Sequence, residues 1–149
     1  MGERRIAREA AFGNSGEAKQ AAAEGSKLHP ASQGVQVEAA LAYAMAGDNE
    51  RAQSLAQNLN QRHPLDTQVQ SLWLPAIQGQ AALTRKVPAE AIENLQRALP
   101  PIEYGQIYFI NQISCLYPAY LGGQAYPSAG QGKEAAAEFQ KILDRSGIV

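Results

Sequence analysis

The side chains able to do chemistry are few and far apart. Cys115 with His29 or His63 is the one combination of nucleophile and base that the chain offers, because it has one cysteine and two histidines. Both histidines stand directly before a proline, at His29-Pro30 and His63-Pro64, 34 residues apart. A shared place in a repeat explains them without catalysis. Two histidines one repeat apart, with no third ligand beside either, also fall short of a metal site. Glu17, Glu50, Glu90 and Glu134 each precede, by one or two residues, an alanine of a predicted helix, and first-turn carboxylates there favour the helix dipole. The glycines Gly122-Gly123 and Gly130/Gly132 have no strand before them and lack the lysine and hydroxyl of a phosphate loop. No enzyme, no cofactor and no metal centre is expected.

Composition narrows the classes further. The chain has 149 residues, enough for one domain with a substantial core, and its 45% hydrophobic content is largely alanine, which favours close-packed helices. Thirteen basic against fourteen acidic residues leave a formal charge of -1, so neither nucleic acid nor an anionic membrane is favoured by the overall field. Arg4, Arg5 and Arg8 are interleaved with Glu3 and Glu9, and Arg5 and Glu9 have i,i+4 spacing, as on a solvated helix face. A single cysteine excludes an internal disulfide and leaves the compartment unknown. No apolar run has membrane-span length, and Met1 to Phe12 is too charged for a signal peptide, so a soluble domain with no direct membrane insertion is expected. The uncapped start and the apolar Gly147-Ile148-Val149 end suggest a fragment of a longer chain with possible weak self-association through its ends.

The elements that must position these residues follow from one period. The stretch Ala46 to Pro64 repeats the layout of the stretch ending at Pro30: Gly13 answers Gly47, Ala18 answers Ala52, Ala22 answers Ala56, and the His-Pro pairs coincide. Residues 3 to 12 form a first helix; Asn14, with Glu17 as a capping-box partner, opens a second that ends near Lys27. Helices from about Gln33 to Ala46 and from Asn49 to about Gln61 flank a turn at Gly47-Asp48. Thr67, with Gln70, caps a longer helix from Gln68 to about Thr84, kinked by Pro75. Pro88 opens a helix to about Leu99. After the apolar stretch 101–115, helices run from Pro118 to Ser128 and from Gly132 to about Arg145, the last with Ala135, Phe139 and Ile142 inward. The step between equivalent alanines grows from 34 to 39 at Ala91 and to 44 at Ala135.

With small Ala40, aromatic Tyr43, Gly47-Asp48, Ala52 and Pro64 at motif spacing, the chain resembles a tetratricopeptide-repeat protein. The resemblance implies an all-α, right-handed α-α superhelix of about three and a half to four helix-turn-helix repeats. They fall at approximately 1–30, 31–64, 65–100 and 116–146, with an aromatic connector at 101–115. The final stretch, with Gly123, Tyr126, Gly130, Ala135 and Phe139, also looks like repeats in the C-terminal regions of bacterial serine/threonine kinases of the eukaryotic-like type. No glycine-rich nucleotide loop with a catalytic lysine, no HRD and no DFG is present, so a sensing or docking role is implied there.

In such proteins the first helix of each pair builds a concave wall. On this register the wall is Val37, Leu41 and Ala44, then Trp73, Ala76, Gln80 and Leu83, then Tyr117, Tyr120 and Gln124. It carries aromatics and amides and lacks the Lys, Arg and Asn set that grips an acidic peptide terminus. Trp73, Tyr104, Tyr108, Phe109, Tyr117 and Tyr120 either pack together as an internal plug or form a groove gated by the connector. The expected function is a non-catalytic module that binds a protein or peptide segment through Val37, Leu41, Trp73, Gln80, Tyr117, Tyr120 and Gln124. The alternative is a structural spacer or self-assembly part of a larger regulatory protein, such as a kinase. Loss of Trp73 is expected to weaken capture with helicity largely intact.

Overall fold

The computed structural model describes residues 3–98, 109–110 and 113–147, with residues 3–5 and 109–110 described by backbone alone. These residues are all-helical apart from connecting turns and one two-residue strand pairing. The helices are α1 (Glu3–Ala11), α2 (Ser15–Leu28), α3 (Gln33–Met45), α4 (Asn49–Arg62), α5 (Leu74–Thr84), α6 (Pro88–Gln96), α7 (Tyr117–Ser128) and α8 (Gly132–Leu143). Between α6 and α7, β1 (Phe109–Ile110) pairs antiparallel with β2 (Ile113–Ser114), a small hairpin inside the predicted connector. Helix α6 stops at Gln96, short of the expected Leu99, which lies outside the described residues together with Tyr104 and Tyr108. Among the described residues no helix is long and apolar enough to cross a membrane.

One turn geometry joins the helices within each pair. Gly13, Gly47, Lys86 and Gly130 hold positive φ of 77°, 76°, 61° and 75°. The amide that follows each reaches back across the turn: Asn14 to Glu9 O, Asp48 to Tyr43 O, Val87 to Ala82 O and Gln131 to Tyr126 O, all at 2.8 to 3.0 Å. This is the Schellman arrangement, which satisfies the last carbonyls of the first helix and reverses the chain. Lys86 adopts it despite its Cβ, at a cost of about 1 to 2 kcal/mol.

A second junction joins one pair to the next. The amides of His29 and His63 bond back to Gly25 O and Leu59 O at 2.9 Å, ending α2 and α4. Three residues on, Ser32 Oγ accepts from the Val35 amide at 3.4 Å and Asp66 Oδ1 from the Val69 amide at 2.9 Å. The capping residue of the third pair is therefore Asp66 and not Thr67, because the carboxylate one residue earlier reaches the free amide first. Asn14 also departs from expectation. It stands at the start of α2 without a side-chain cap, and its Nδ2 donates instead to Glu9 Oε2 at 2.7 Å, tying α2 back to α1.

The expected kink at Pro75 takes another form. Residues Val69–Trp73 make a π-helical turn in which the Leu74 amide bonds to Val69 O, five residues back. Proline has no N–H to give, and in a regular helix its ring collides with the carbonyl four residues earlier. A widened turn just upstream moves that carbonyl aside, so the helix runs on to Thr84.

Packing centres on α3, where every residue from Val35 to Ala44 is buried. It touches α1, α2, α4 and α5, and β1 lies against it. The first helices of successive pairs also meet, α1 on α3, α3 on α5 and α5 on α7. Close approach within the pairs depends on glycine. A Cβ on Gly25 would lie 2.8 Å from Ile6 Cδ1, and one on Gly79 would lie 2.7 Å from Leu95 Cγ. A Cβ on Gly123 would collide with the Phe139 ring, which rests on that glycine although 38% exposed, short of the fully inward place expected for it.

Gly79→Ala should therefore lower the melting temperature, since overpacking costs about 1 to 3 kcal/mol against a helix-propensity gain of up to about 1. Gly16→Ala, where nothing lies within 4 Å, should raise it. Thermal unfolding followed by circular dichroism compares the two; a stabilised Gly79→Ala protein would contradict the interlock.

Candidate functional site

The predicted wall residues divide between core and surface. Val37 and Trp73 are 0% exposed and Leu41 1%, all within one apolar cluster with Leu72, Ile77 and Leu121. Trp73 cannot meet a partner from there. Its place follows from the π-helical turn, which adds residues to one turn and rotates everything before it relative to the register extrapolated from Gln80. Val37 lies in the buried stretch Val35–Ala44 of α3.

Gln80, Tyr117, Tyr120 and Gln124 do come together. The Tyr117 hydroxyl donates to Gln80 Oε1 at 3.0 Å, and Gln80 Nε2 donates to Thr84 Oγ1 at 3.2 Å. Thr84 Oγ1 in turn donates to the Gln80 carbonyl at 3.1 Å. This chain fixes α7 against α5. On the next turn Tyr120, 44% exposed, stacks on Tyr117 at 6.2 Å between centroids and meets the edge of Phe139 at 6.3 Å. Gln124 Nε2 donates to the Tyr120 hydroxyl at 2.9 Å. Burial pushes the Tyr117 phenol above its ordinary pKa, and the neighbouring Tyr120 adds to the rise.

These tyrosines form one side of an apolar cavity of about 300 Å³. The opposite side is Ala7, Ala10 and Ala11 of α1 with Leu41, Ala42 and Met45 of α3, while Ile113 and Leu116 from the hairpin and Ile142 from α8 complete it. Glu38, 1% exposed, is the one carboxylate in the lining. The wall expected from the first helices of the later pairs did not include these α1 and α8 contributions. The spacing of Ala7, Ala10 and Ala11 at i, i+3 and i+4 was the available signal. Phe109, expected in the aromatic set, is described by backbone alone.

Cys115 and the two histidines are not brought together. Cys115 is 4% exposed in the apolar cluster, and the structure gives it no hydrogen bond to either histidine, both of which stand at helix ends. Among the described residues no three His, Cys, Asp or Glu side chains gather as a metal site requires. The cavity can exclude water from an apolar group, and Tyr120 and Gln124 offer hydrogen bonds at its side. Comparison with protein-family models, with curated proteins and with solved structures gives no match.

Two substitutions probe this region. Trp73→Ala should cost roughly 3 to 5 kcal/mol in urea unfolding as a core deletion. Trp73→Phe should cost less, because the buried Nε1 has no hydrogen-bond partner and losing it removes an unsatisfied donor worth roughly 1 to 3 kcal/mol; equal losses would contradict the core placement. For Tyr117 the folded pKa is raised, so its contribution is complete below the free phenol value of about 10 and is lost as pH rises beyond it. Tyr117→Phe should flatten that alkaline loss of stability in pH-dependent denaturation.

Proposed function

We propose that the chain is a non-catalytic protein-interaction module. In this proposal its helix pairs continue as a right-handed, tetratricopeptide-like superhelix of about three and a half to four repeats, and the concave face takes a protein or peptide segment. What supports it is the apolar cavity bounded by α1, α3 and α7, beside the partly exposed Tyr120. Successive contacts of α1, α3, α5 and α7 suit the inner wall of such a superhelix.

The anchors differ from those expected. Trp73, Val37 and Leu41 act as support, with Leu41 at the cavity lining, and the contacting set becomes Tyr120, Gln124, Met45, Ala11 and Ile113. At about 300 Å³ the cavity is at the lower end of the roughly 300 to 1,000 Å³ usual for small-molecule pockets. It therefore accepts one or two apolar side chains of a segment whose remainder lies along the face. Tyr120 and Gln124 bond the segment's backbone. With a formal charge of -1 the chain has no field for nucleic acid. As part of a longer regulatory chain, such as the kinase type that the last repeat resembles, it would serve as a docking region.

A second proposal, self-assembly, is favoured by one observation. In helix α8 only Ala135 is buried and Leu143 is 66% exposed, so among the described residues its outer face has no cover.

Segments selected from a displayed peptide library against the wild-type chain should separate the two. Tyr120→Ala should weaken binding of the selected segments by about 2 kcal/mol, roughly thirtyfold, and Ala11→Arg should block the cavity mouth, both with unchanged helicity. Segments that bind all three proteins alike would reject the groove. Light scattering that rises with concentration, and is abolished by Leu143→Glu, would favour assembly instead.

A further inference from the structure

A second cavity, of about 340 Å³, lies between α6 and the pair α7 and α8, away from the concave face. Leu72, Ile92, Leu95, Leu116, Pro118 and Ala119 make its apolar wall, Gln96 and Tyr126 are polar, α8 contributes Glu138 and Lys141, and Arg145 stands in the turn just after α8. Lys141 Nζ is paired with Glu138 Oε1 at 2.8 Å, which cancels those two charges. Arg145 donates from Nη1 to the Lys141 carbonyl at 3.2 Å, and among the described residues no carboxylate forms an ion pair with it. Asp144, the nearest acid in sequence, is engaged by Gln140 Nε2 at 2.7 Å, and Glu93 of α6 by Arg97. Among the charged side chains of the lining, Arg145 therefore leaves a net positive charge beside the apolar wall of the cavity. The buried thiol of Cys115 also lines it.

We propose that this cavity is a binding site for a small amphiphilic carboxylate, a short acyl chain whose head group is held by Arg145. The site does not depend on the concave groove. A cavity of about 340 Å³ is large enough for a short chain, which the apolar wall would cover along one side. The guanidinium has further N–H donors in the planar arrangement that matches a carboxylate, and among the described residues no carboxylate pairs with its charge. A cationic head would meet repulsion, and an uncharged one would lose the charge-assisted bonds.

The test uses the full chain and three probes of one chain length: decanoate, decanol and decyltrimethylammonium, each below its micellar concentration. Calorimetry measures affinity, and the rate at which a small maleimide labels Cys115 reports occupancy of the cavity. Decanoate should bind and slow labelling, decanol should bind roughly tenfold more weakly, and the cation should not bind. Arg145→Gln should close the gap between decanoate and decanol while leaving decanol affinity unchanged. Ala119→Phe should fill the cavity and remove both. If Ala119→Phe does not fold, the Arg145→Gln comparison decides alone. Three probes binding alike, or decanoate binding without protecting Cys115, would overturn the proposal. So would an apolar peptide with a free terminal carboxylate that displaces decanoate at far lower concentration, since the site would then be a peptide site.

Discussion

A glycine lying beneath a large side chain at a helix crossing is the contact on which the rest of the structure depends. Gly25 under Ile6, Gly79 under Leu95 and Gly123 under Phe139 bring paired backbones closer than any Cβ would permit. In the pair formed by α3 and α4, the alanines Ala52 and Ala56 are buried in the corresponding region. Only with the helices drawn in this far can α3 be enclosed on all sides, and only then do α5 and α7 approach closely enough for Tyr117 to reach Gln80. The stabilising terms are dispersion and burial. The surface ion pairs, such as Arg97 with Glu93 and Arg51 with Asp48, are exposed on at least one partner and contribute little.

How much of this was legible in the sequence depended on the range of the interaction. The turns were legible because they are local: a glycine at Gly13, Gly47 or Gly130 and a His-Pro pair at 29–30 or 63–64 determine backbone geometry almost alone. Helix limits came within a few residues for the same reason. Capping was less readable, since Ser, Thr, Asp and Asn at neighbouring positions compete for one amide. Asp66 took the place given to Thr67, and Asn14 spent its side chain on Glu9, five residues back.

Residue facing was hardest to read, and the cause is mechanical. A helical register extrapolates only while each turn contains the same number of residues. The π-helical turn at Val69–Trp73 breaks that condition just where Pro75 requires it, so Gln80 lies near its expected face and Trp73 does not. The cavity beside Tyr120 assembles from α1, α3, the hairpin, α7 and α8, and such convergence of distant segments leaves no periodic trace. The carboxylate site has still less, because Arg145 and Leu72 are far apart in the chain and belong to different pairs.

The four turn residues, Gly13, Gly47, Lys86 and Gly130, are separated by 34, 39 and 44 residues. A repeat array with a constant step is modular: units can be removed or duplicated and the neighbours still fit. Here each step is longer than the last, and the added residues are committed, first to the widened turn before Pro75 and then to the segment carrying the hairpin against α3. The pairs share a turn, but they are not interchangeable in length. Deleting or copying one pair here would also remove or misplace the contacts that those added residues make.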